Sequence, residues 1–545
     1  MTSRTLGHRA PLLWLVLPFA AGLVFGRLGW ISGQAATLAT ALGSTGLSIC
    51  FVNRAPWLWA ATLVVGLFGA GSAAYSLHRN RLVEWDRLPA REVRLSVAID
   101  RVFSGPDARK VNGLATVVLA EPHLWDLVGQ RIYFSLALRA GEPEPIRSEN
   151  LAAIGVLVTL PRSPPPDTFD GYLADAGVNF RLTRGRILSR AAPAQAYYRH
   201  CADAAAWCHE VLGEGLTLKR PELAGLLRAM MLGSMHDLSG EQRTLFMQSG
   251  TMHLFAISGL NIGVIATALQ VMLALIRLPP AGRFVVATVL LWMFVDLTGA
   301  SPSAVRAFGM ATFMQAALLL RRPGNLLAAL VISALAVELA APLQIFSASF
   351  IMSYGIVLAL LLHGAPLGEA WQAAWSPWRA VPKVTWHGWQ HRVAWLWAAT
   401  ASALAVGLAT TGVSLLTGVQ FFQLLTPGAL ATNLILIPAA MIVTLGGFAS
   451  LLCGLAGWTA GASLCNHGSA LLLLVIEHLV RASVQVPGAF LSAHYRSTWV
   501  GPLALGLVLA ALFTGYATEW KSRTGGWWPP VVIVALTLLA GMRFD

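Results

Sequence analysis

Polar side chains interrupt two apolar stretches of the sequence at close spacing, and these are the residues that could do chemistry. The first stretch runs His253-Leu-Phe-Ala-Ile-Ser258-Gly259-Leu-Asn261-Ile-Gly263. Polar groups are costly inside a membrane, so they usually face the interior of a helix bundle or an aqueous path. The residues alone leave two interpretations open. One is helix packing through the small residues Gly259 and Gly263, and the other is a broken, polar-lined helix at a pathway.

The second interrupted stretch contains Asp296, Ser301, Ser303 and Arg306, with a glycine and a proline between two apolar segments. The serines predict capping of the helix that follows. Capping does not explain Arg306, which falls one turn into an apolar helix. An arginine there favours a bound anion or a buried acidic partner, for which Asp296 is the candidate. Asn433, between two prolines, is a weaker candidate of the same kind.

Motifs of established catalytic chemistry are missing from the sequence. There is no Walker loop, no His-Glu-x-x-His, no dinucleotide fingerprint and no Gly-x-Ser-x-Gly elbow. The group His200, Cys201, Cys208 and His209 does not predict a metal site, because on a helix its two thiols would lie about 10.5 Å apart along the axis. We therefore expect no enzyme activity, no cofactor and no metal site.

The composition indicates a protein that lies mostly in lipid. Of the 545 residues, 56% are hydrophobic and only 12% are charged, and the mean hydropathy is +0.64. Since an average soluble chain carries about a quarter charged residues, a soluble globular protein and a disordered chain are both excluded. The sequence predicts a polytopic α-helical membrane protein. Its net charge of +13 could hold loops in the cytoplasm, attract a polyanion, or do both.

Apolar segments of near-membrane length divide the chain into regions. Three precede residue 78 and about ten follow residue 250, which predicts about 12–13 spans. Between them the sequence becomes charged and contains proline-rich breaks. The predicted regions are N-terminal membrane helices (1–77), an OB-like extracytoplasmic barrel (78–190), an amphipathic interfacial segment that could equally pack on protein (191–240), and the membrane domain (241–545).

The region 78–190 contains five short runs that alternate or are rich in β-branched residues, separated by turn signals such as Pro164-Pro165-Pro166-Asp167. Five strands in about 100 residues suggest a small barrel, with the OB fold as the leading candidate. Tyr133 and Phe134 are neighbours and must point to opposite faces of a strand, so only one of them can fill the core. The five runs are 92–103, 113–120, 130–139, 151–160 and 178–188.

Alternate loops differ in positive charge, and this difference predicts the orientation. Loops near 342 and at 418–426 contain no Lys or Arg. Because cytoplasmic loops are enriched in these residues, we expect the N-terminus inside and the barrel outside the cytoplasmic membrane. The basic loops carry Arg54, then Arg277 and Arg283, then Arg321 and Arg322, then Arg379, Lys383 and Arg392, and lastly Lys521 and Arg523.

Five segments resemble, in the same order, motifs of the bacterial competence (ComEC-type) DNA-internalisation channels. Segments 253–263 and 297–307 are similar to that family's signatures, and 169–177 resembles the end of its extracellular barrel domain. The other two segments are 346–353, altered here by Ile351 and Met352, and 425–433 with Pro438.

The sequence departs from that family at two further points. The family usually has histidine where this chain has Asn261. Many members continue into a metallo-hydrolase-like domain, whereas this chain stops at Asp545. The resemblance therefore implies no nuclease activity in this chain and a separate nuclease.

The resemblance implies a channel for single-stranded DNA across the cytoplasmic membrane in natural transformation. It also implies contact with membrane lipid, a DNA receptor outside and a separate cytoplasmic motor ATPase. Rings and cations on an OB-like barrel are the mixture that sequence-tolerant strand binding uses, and a conduit for phosphates needs polar groups throughout. The pathway candidates are His253, Ser258, Gly259, Asn261, Ser301, Ser303, Arg306 and Asn433, and the barrel candidates are Phe103, Trp125, Tyr133 and Arg181.

Two other classes of function remain open from the residues. A small-solute or proton-coupled transporter would show inverted repeats, and the sequence has no convincing internal repeat. An intramembrane hydrolase could use Ser258 and His253. Five residues apart on one helix, their side chains would lie about 140° apart and would not pair directly.

Overall fold

The protein is a multi-pass helical membrane protein that carries a small β-barrel. The structure is a computed structural model that describes residues 10–29, 34–79, 81–103, 105, 109–322, 324–518 and 528–544, so Lys521 and Arg523 lie outside the described residues. Within those ranges, eight helices are long and apolar enough to cross a membrane, and three shorter apolar helices accompany them. This confirms the predicted fold class.

Within the described residues, three α-helices precede the barrel: α1 (Leu13–Arg27), α2 (Gln34–Phe51) and α3 (Pro56–Arg79). Helices α1 and α3 cross closely at glycines. A Cβ atom at Gly22 would lie 2.0 Å from the carbonyl oxygen of Phe68, and one at Gly71 would lie 2.1 Å from that of Phe19. Only glycine permits this backbone approach, which is the usual way in which membrane helices pack tightly.

The barrel contains the five predicted strands. Its closed order is β1-β2-β3-β5-β4, with β3 and β5 parallel and the other pairs antiparallel, which is the arrangement of an OB fold. Phe134 is fully buried and Tyr133 is half-buried, as expected for neighbours on opposite faces. The strands are β1 (Arg91–Phe103), β2 (Lys110–Ala120), β3 (Arg131–Ala137), β4 (Asn150–Thr159) and β5 (Phe180–Ala192), and a short helix α4 (Phe169–Asp175) precedes β5.

The segment after the barrel forms α5 (Ala196–Val211), α6 (Pro221–Leu232) and α7 (Gly240–Gln248). For this segment the structure favours the second predicted arrangement, packing on protein. Near one end of α5 the Tyr197 hydroxyl donates a hydrogen bond to Asp296 at 2.8 Å. At its other end the Asn466 amide donates to the carbonyl of Val211 at 2.8 Å. A helix of 16 residues is about 24 Å long, so α5 extends along the bundle.

The remaining helices form the rest of the bundle, and most helices that are neighbours along the chain pack on each other. A π-helical turn at Leu360–Gly364 joins α12 to α13. The helices are α8 (Gly259–Leu275), α9 (Pro280–Leu297), α10 (Pro302–Leu319), α11 (Leu326–Ala340), α12 (Ala348–Ala359), α13 (Ala365–Ala374), α14 (Gly388–Phe422), α15 (Ala429–Leu455), α16 (Thr459–Val484), α17 (Val500–Ala517) and α18 (Trp528–Ala540).

A three-stranded antiparallel sheet joins the ends of several helices. Its strands are β6 (Leu424–Leu425), β7 (Leu491–Tyr495) and β8 (Met542–Phe544). Each follows an apolar helix, so the sheet collects the C-terminal ends of α14, α16 and α18 at one end of the bundle. This sheet was not predicted from the sequence.

The barrel packs on that same end of the bundle. The Arg147 guanidinium lies 3.1 Å from the Asp296 carboxylate at the end of α9, and the Gln423 side chain bonds to Asp167 of the barrel. The loop after α11 also approaches the barrel, since a Cβ at Gly177 would lie 3.4 Å from Leu343. Because successive helices alternate in direction, the basic loops at 277–283, 321–322 and 379–392 end up at the opposite end of the bundle.

Candidate functional site

Three helix N-termini begin with serine at the end of the bundle that carries the barrel. Ser258 precedes α8, Ser301 precedes α10 and Ser347 precedes α12. The hydroxyl of Ser301 accepts a hydrogen bond from the Ala304 amide at 3.3 Å, which confirms its predicted capping role. Ser347 caps its helix in the same way, whereas Ser258 makes no capping bond.

Side-chain contacts join the first two of these N-termini. The Ser303 hydroxyl donates a hydrogen bond to the carbonyl of Ile257 at 2.8 Å and lies 3.2 Å from the Ser301 hydroxyl. Two of the polar stretches that the sequence singled out, 253–263 and 297–307, therefore meet in space.

Arg306 joins the second N-terminus to the third. Its Nη2 donates to the Ser349 carbonyl at 2.7 Å and to the Ser349 hydroxyl at 2.9 Å. The side chain is only 1% exposed, and its Nε and Nη1 have no hydrogen-bond partner among the described residues. The guanidinium lies over the Tyr354 ring, 5.5 Å from its centroid. Arg306 is thus a buried cation with unused donors.

The predicted alternative that Asp296 neutralises Arg306 is wrong. The carboxylate of Asp296 bonds instead to Arg147 of the barrel at 3.1 Å and to the Tyr197 hydroxyl at 2.8 Å. Both partners come from outside the interrupted stretch, so Asp296 fastens the barrel and α5 to the end of α9. Within the described part of the chain, Arg306 forms no ion pair with a carboxylate.

Asn261 is a buried connector of three helices. Its amide donates to the Met230 carbonyl of α6 at 3.3 Å, and its carbonyl oxygen accepts from the Thr444 hydroxyl of α15 at 3.5 Å. The small-residue packing predicted for Gly259 and Gly263 is not seen. A Cβ at Gly259 would come no closer than 3.7 Å to Ala307, and one at Gly263 would meet nothing within 4 Å.

Two other pathway candidates lie apart from these contacts. His253 is exposed, and its ring lies 3.1 Å from the Gly250 carbonyl in the same segment. Asn433 is half-buried on α15, and its side-chain oxygen has no partner within the described ranges. His253 and Ser258 do not share one helix, as the predicted angular separation assumed, because His253 lies in a short 3-10 turn and Ser258 has extended backbone before α8. No hydrogen bond between described residues joins them.

The barrel carries a patch of four aromatic rings, formed by Phe103, Tyr133, Phe169 and Tyr172. Tyr133 packs edge-on against Phe169 at 5.2 Å, and Phe103 lies 6.4 Å from Tyr172. Phe169 and Tyr172 stack on each other at 6.0 Å and are 49% and 42% exposed. Sequence reasoning found Phe103 and Tyr133 but missed the two rings of α4. Their spacing of three residues on a helix was an available signal.

Arginines border this aromatic patch. Arg101 lies over the Phe103 ring at 5.5 Å. Burial lowers the pKa of the Arg101 guanidinium, and the nearby charges of Arg131 and Arg147 lower it further. The cations therefore extend from the patch toward Arg147, which contacts the bundle.

The other two barrel candidates have different surroundings. Arg181 forms an ion pair with Asp170 of α4 at 2.8 Å, so it lies beside the aromatic patch. Trp125 is 63% exposed in the connection between β2 and β3. No ring contact between described residues brings it to the patch.

Comparisons with known proteins agree with this architecture. A family model described as "Competence protein" matches residues 230–519, which is more than half of the chain. ComE operon protein 3 of Bacillus subtilis (strain 168) is 27% identical over 149 residues, which are 27% of this chain and 19% of that protein. No solved structure matches the chain. The matched region contains the three helix N-termini that follow Ser258, Ser301 and Ser347, together with Arg306, while the barrel precedes it.

The position of Asn261 generates a stability prediction. Asn261→Ala removes a buried partner of Met230 and Thr444, so we expect the free energy of unfolding to fall by about 1–3 kcal/mol. Thermal unfolding of the purified protein in detergent measures this. Lys219→Ala is the control and should change stability by less than about 0.5 kcal/mol, because that side chain is exposed. Equal stability of both variants would contradict the structural role of Asn261.

Proposed function

Because the chain belongs to the competence-protein family, we propose that it conducts single-stranded DNA across the cytoplasmic membrane in natural transformation. The observation that carries this proposal is the meeting of three helix N-termini around an arginine that has no acidic partner among the described residues. Those N-termini belong to three segments that are far apart in sequence. Their common feature is an environment that favours a negative charge.

The electrostatics of this site fit a phosphate backbone. The N-terminus of an α-helix carries a partial positive charge and unsatisfied N–H groups, which favour anions. The helices α8, α10 and α12 direct such ends to one region, and Arg306 adds a full positive charge there. A strand carries one negative charge per nucleotide, so it needs such groups and water to replace its hydration in the membrane.

The described conformation is closed at this point. Arg306 is 1% exposed, and its donors to Ser349 tie α10 to α12. Passage of a strand therefore requires these N-termini to separate. We propose that phosphate groups then take the place of Ser349 as acceptors for the guanidinium, which would also use its free Nε and Nη1.

The barrel supplies a holding surface next to this entrance. The four-ring patch offers faces on which bases can stack, and every base has such a face, so binding would be sequence-tolerant. Arg101, Arg131 and Arg147 can follow the backbone of the strand. Since Arg147 also contacts Asp296 at the end of α9, the charged surface leads from the barrel to the segment that contains Ser301 and Arg306.

Movement through this path needs other proteins. The sequence has no ATPase motif, so we propose that a separate motor ATPase on the cytoplasmic side supplies the driving force. A DNA receptor outside the cell and a separate nuclease complete the proposed set of partners. In this arrangement the barrel faces outward, since the basic loops lie at the opposite end of the bundle and such loops are retained in the cytoplasm.

The orientation can be tested by cysteine labelling in intact cells. In a chain with Cys50→Ser, a thiol-reactive reagent that does not cross membranes should label a Ser189→Cys variant, whose site is exposed on the barrel. A Val384→Cys variant, whose site is 97% exposed in the basic loop before α14, should react only after permeabilisation. The reverse pattern would contradict the proposed orientation.

The channel proposal is tested at Arg306. Arg306→Ala should lower the uptake of labelled DNA into the cytoplasm by at least about tenfold, a loss of about 1.4 kcal/mol, while the amount of protein in the membrane falls much less. Arg306→Lys keeps the positive charge but loses the forked geometry of the guanidinium. DNA uptake by this variant should therefore lie between that of the unaltered protein and that of Arg306→Ala.

The matched control for Arg306 is Arg481→Ala. Arg481 is half-exposed on α16, where it contacts Glu241 and Glu477, so its removal should leave uptake nearly unchanged. If the Arg306→Ala variant loses uptake and membrane abundance in equal proportion, the arginine acts on folding and the conduit role fails.

The holding surface is tested by strand binding to the whole protein in detergent. Tyr172→Ala should weaken the binding of a fluorescent single-stranded oligonucleotide by about 1–3 kcal/mol, the worth of one stacked base. Trp125→Ala removes an even more exposed ring away from the patch and should have no effect. Binding should also weaken steeply as salt rises. Equal loss in both variants, or no binding at low salt, would exclude the patch.

A further inference from the structure

Three side chains with metal-binding chemistry meet where the last turns of α5 pack on the turn that follows α6. They are His209 of α5 and the neighbours His236 and Asp237. One imidazole nitrogen or carboxylate oxygen from each lies within 4.8 Å of the others. The Asp237 carboxylate lies between the two rings, 3.2 Å from His209 and 3.5 Å from His236.

The backbone around this cluster is held in place by specific contacts. A Cβ at Gly225 would lie 2.5 Å from the Asp237 carbonyl oxygen, so only glycine lets α6 approach the turn this closely. Arg243 donates to the Met235 carbonyl at 2.7 Å, and Arg228 donates to the His209 carbonyl at 2.9 Å. The three candidate ligands therefore sit on braced segments rather than on a loose loop.

Ion pairing alone leaves this cluster incompletely satisfied. The buried Nδ1 of His236 has no hydrogen-bond partner among the described residues, and its Nε2 lies 3.5 Å from Asp237, which is too far for a good hydrogen bond. Neither nitrogen of this ring is therefore well paired. Buried polar atoms are normally paired, and each exception calls for an explanation such as an ion. An ion held by the two rings and the carboxylate would give His236 a strong partner.

We propose that His209, His236 and Asp237 bind one divalent transition-metal ion, with Zn²⁺ as the best-fitting class. Imidazole and carboxylate suit Zn²⁺, whose ligands lie at about 2.0–2.2 Å, so the three ligand atoms need to close by only about 1 Å. Three protein ligands leave a fourth position for water. Ca²⁺ and Mg²⁺ fit poorly, because they prefer sites made of oxygen ligands.

The bound ion would clamp α5 to the connection between α6 and α7. Helix α5 is bonded to Asp296 near its other end, so fixing it would also steady the junction with the barrel. The positive charge of the neighbouring Arg228 opposes the binding of a metal ion. Its guanidinium already donates hydrogen bonds to the His209 carbonyl and the Thr217 hydroxyl. The inference does not depend on the proposed transport function.

No local sequence pattern predicted this site. The sequence grouped His209 with the nearby Cys201 and Cys208, which are both buried in the structure. The actual partners of His209 lie 27 and 28 residues further along the chain and follow no metal-ligand spacing. The expectation of no metal site therefore did not take this cluster into account.

The test measures metal uptake by the full chain, purified in detergent after treatment with a chelator. We expect one equivalent of Zn²⁺ to bind, by calorimetry and by elemental analysis after gel filtration. Co²⁺ in its place should give the visible absorption of a four- or five-coordinate site. Zn²⁺ should also raise the unfolding temperature, because a ligand that binds only the folded state stabilises it.

Single variants assign the ligands. Loss of a residue that only supports a ligand weakens metal binding by about 10- to 100-fold. We expect a larger loss of Zn²⁺ affinity when a ligand itself is replaced, in each of the variants His209→Ala, His236→Gln and Asp237→Asn. The control is His123→Ala, which alters an exposed His123–Glu121 pair with no third ligand. No uptake by the unaltered protein, or uptake that survives all three ligand variants, would overturn the site. The first measurement decides this even if a variant does not fold.

Discussion

A backbone amide or carbonyl inside lipid has to find its partner within the protein, and this constraint governs where the chain can leave a helix. The loops 298–301 and 342–347 lie at the end of the bundle that carries the barrel, and serine side chains cap the helices that follow them. The break before α8 is also held by protein, since Ser303 bonds to the Ile257 carbonyl. Satisfying the backbone in this way brings several helix N-termini together, and their positive ends define the candidate site.

The same constraint explains why two charged residues near the candidate site, Asp296 and Arg306, have different partners. Asp296 lies at a helix end and finds Arg147 and Tyr197 at the junction with the barrel. Arg306 lies deeper, where a carbonyl and a hydroxyl of Ser349 are the only hydrogen-bond acceptors that the described residues offer it. A buried guanidinium with so few partners costs stability unless another charge offsets it. Arg306 is therefore a buried cation with two donor atoms that no described residue uses, which is the basis of its proposed role in binding phosphate groups.

The sequence predicted those features that depend on neighbouring residues. Strand alternation located all five barrel strands, and the position of Ser301 before an apolar segment predicted its cap. It failed where partners come from distant segments. Asp296 found Arg147, which is 149 residues away, rather than Arg306. Asn261 joins Met230 to Thr444, and half of the aromatic patch lies on a helix that follows β4. No local pattern specifies such pairings.

The attachment of the barrel also has a mechanical consequence. Besides its two chain connections, the barrel is bonded to four membrane elements: Asp175 to Arg27 of α1, Asn179 to Arg79 of α3, Arg147 to Asp296 of α9, and Asp167 to Gln423 after α14. The charge-assisted hydrogen bonds among these contacts belong to the stronger hydrogen bonds in proteins. A pulling force on the barrel is therefore shared between the N-terminal helices and the main bundle. The barrel can in this way hold its position relative to the membrane helices instead of moving on a flexible connection.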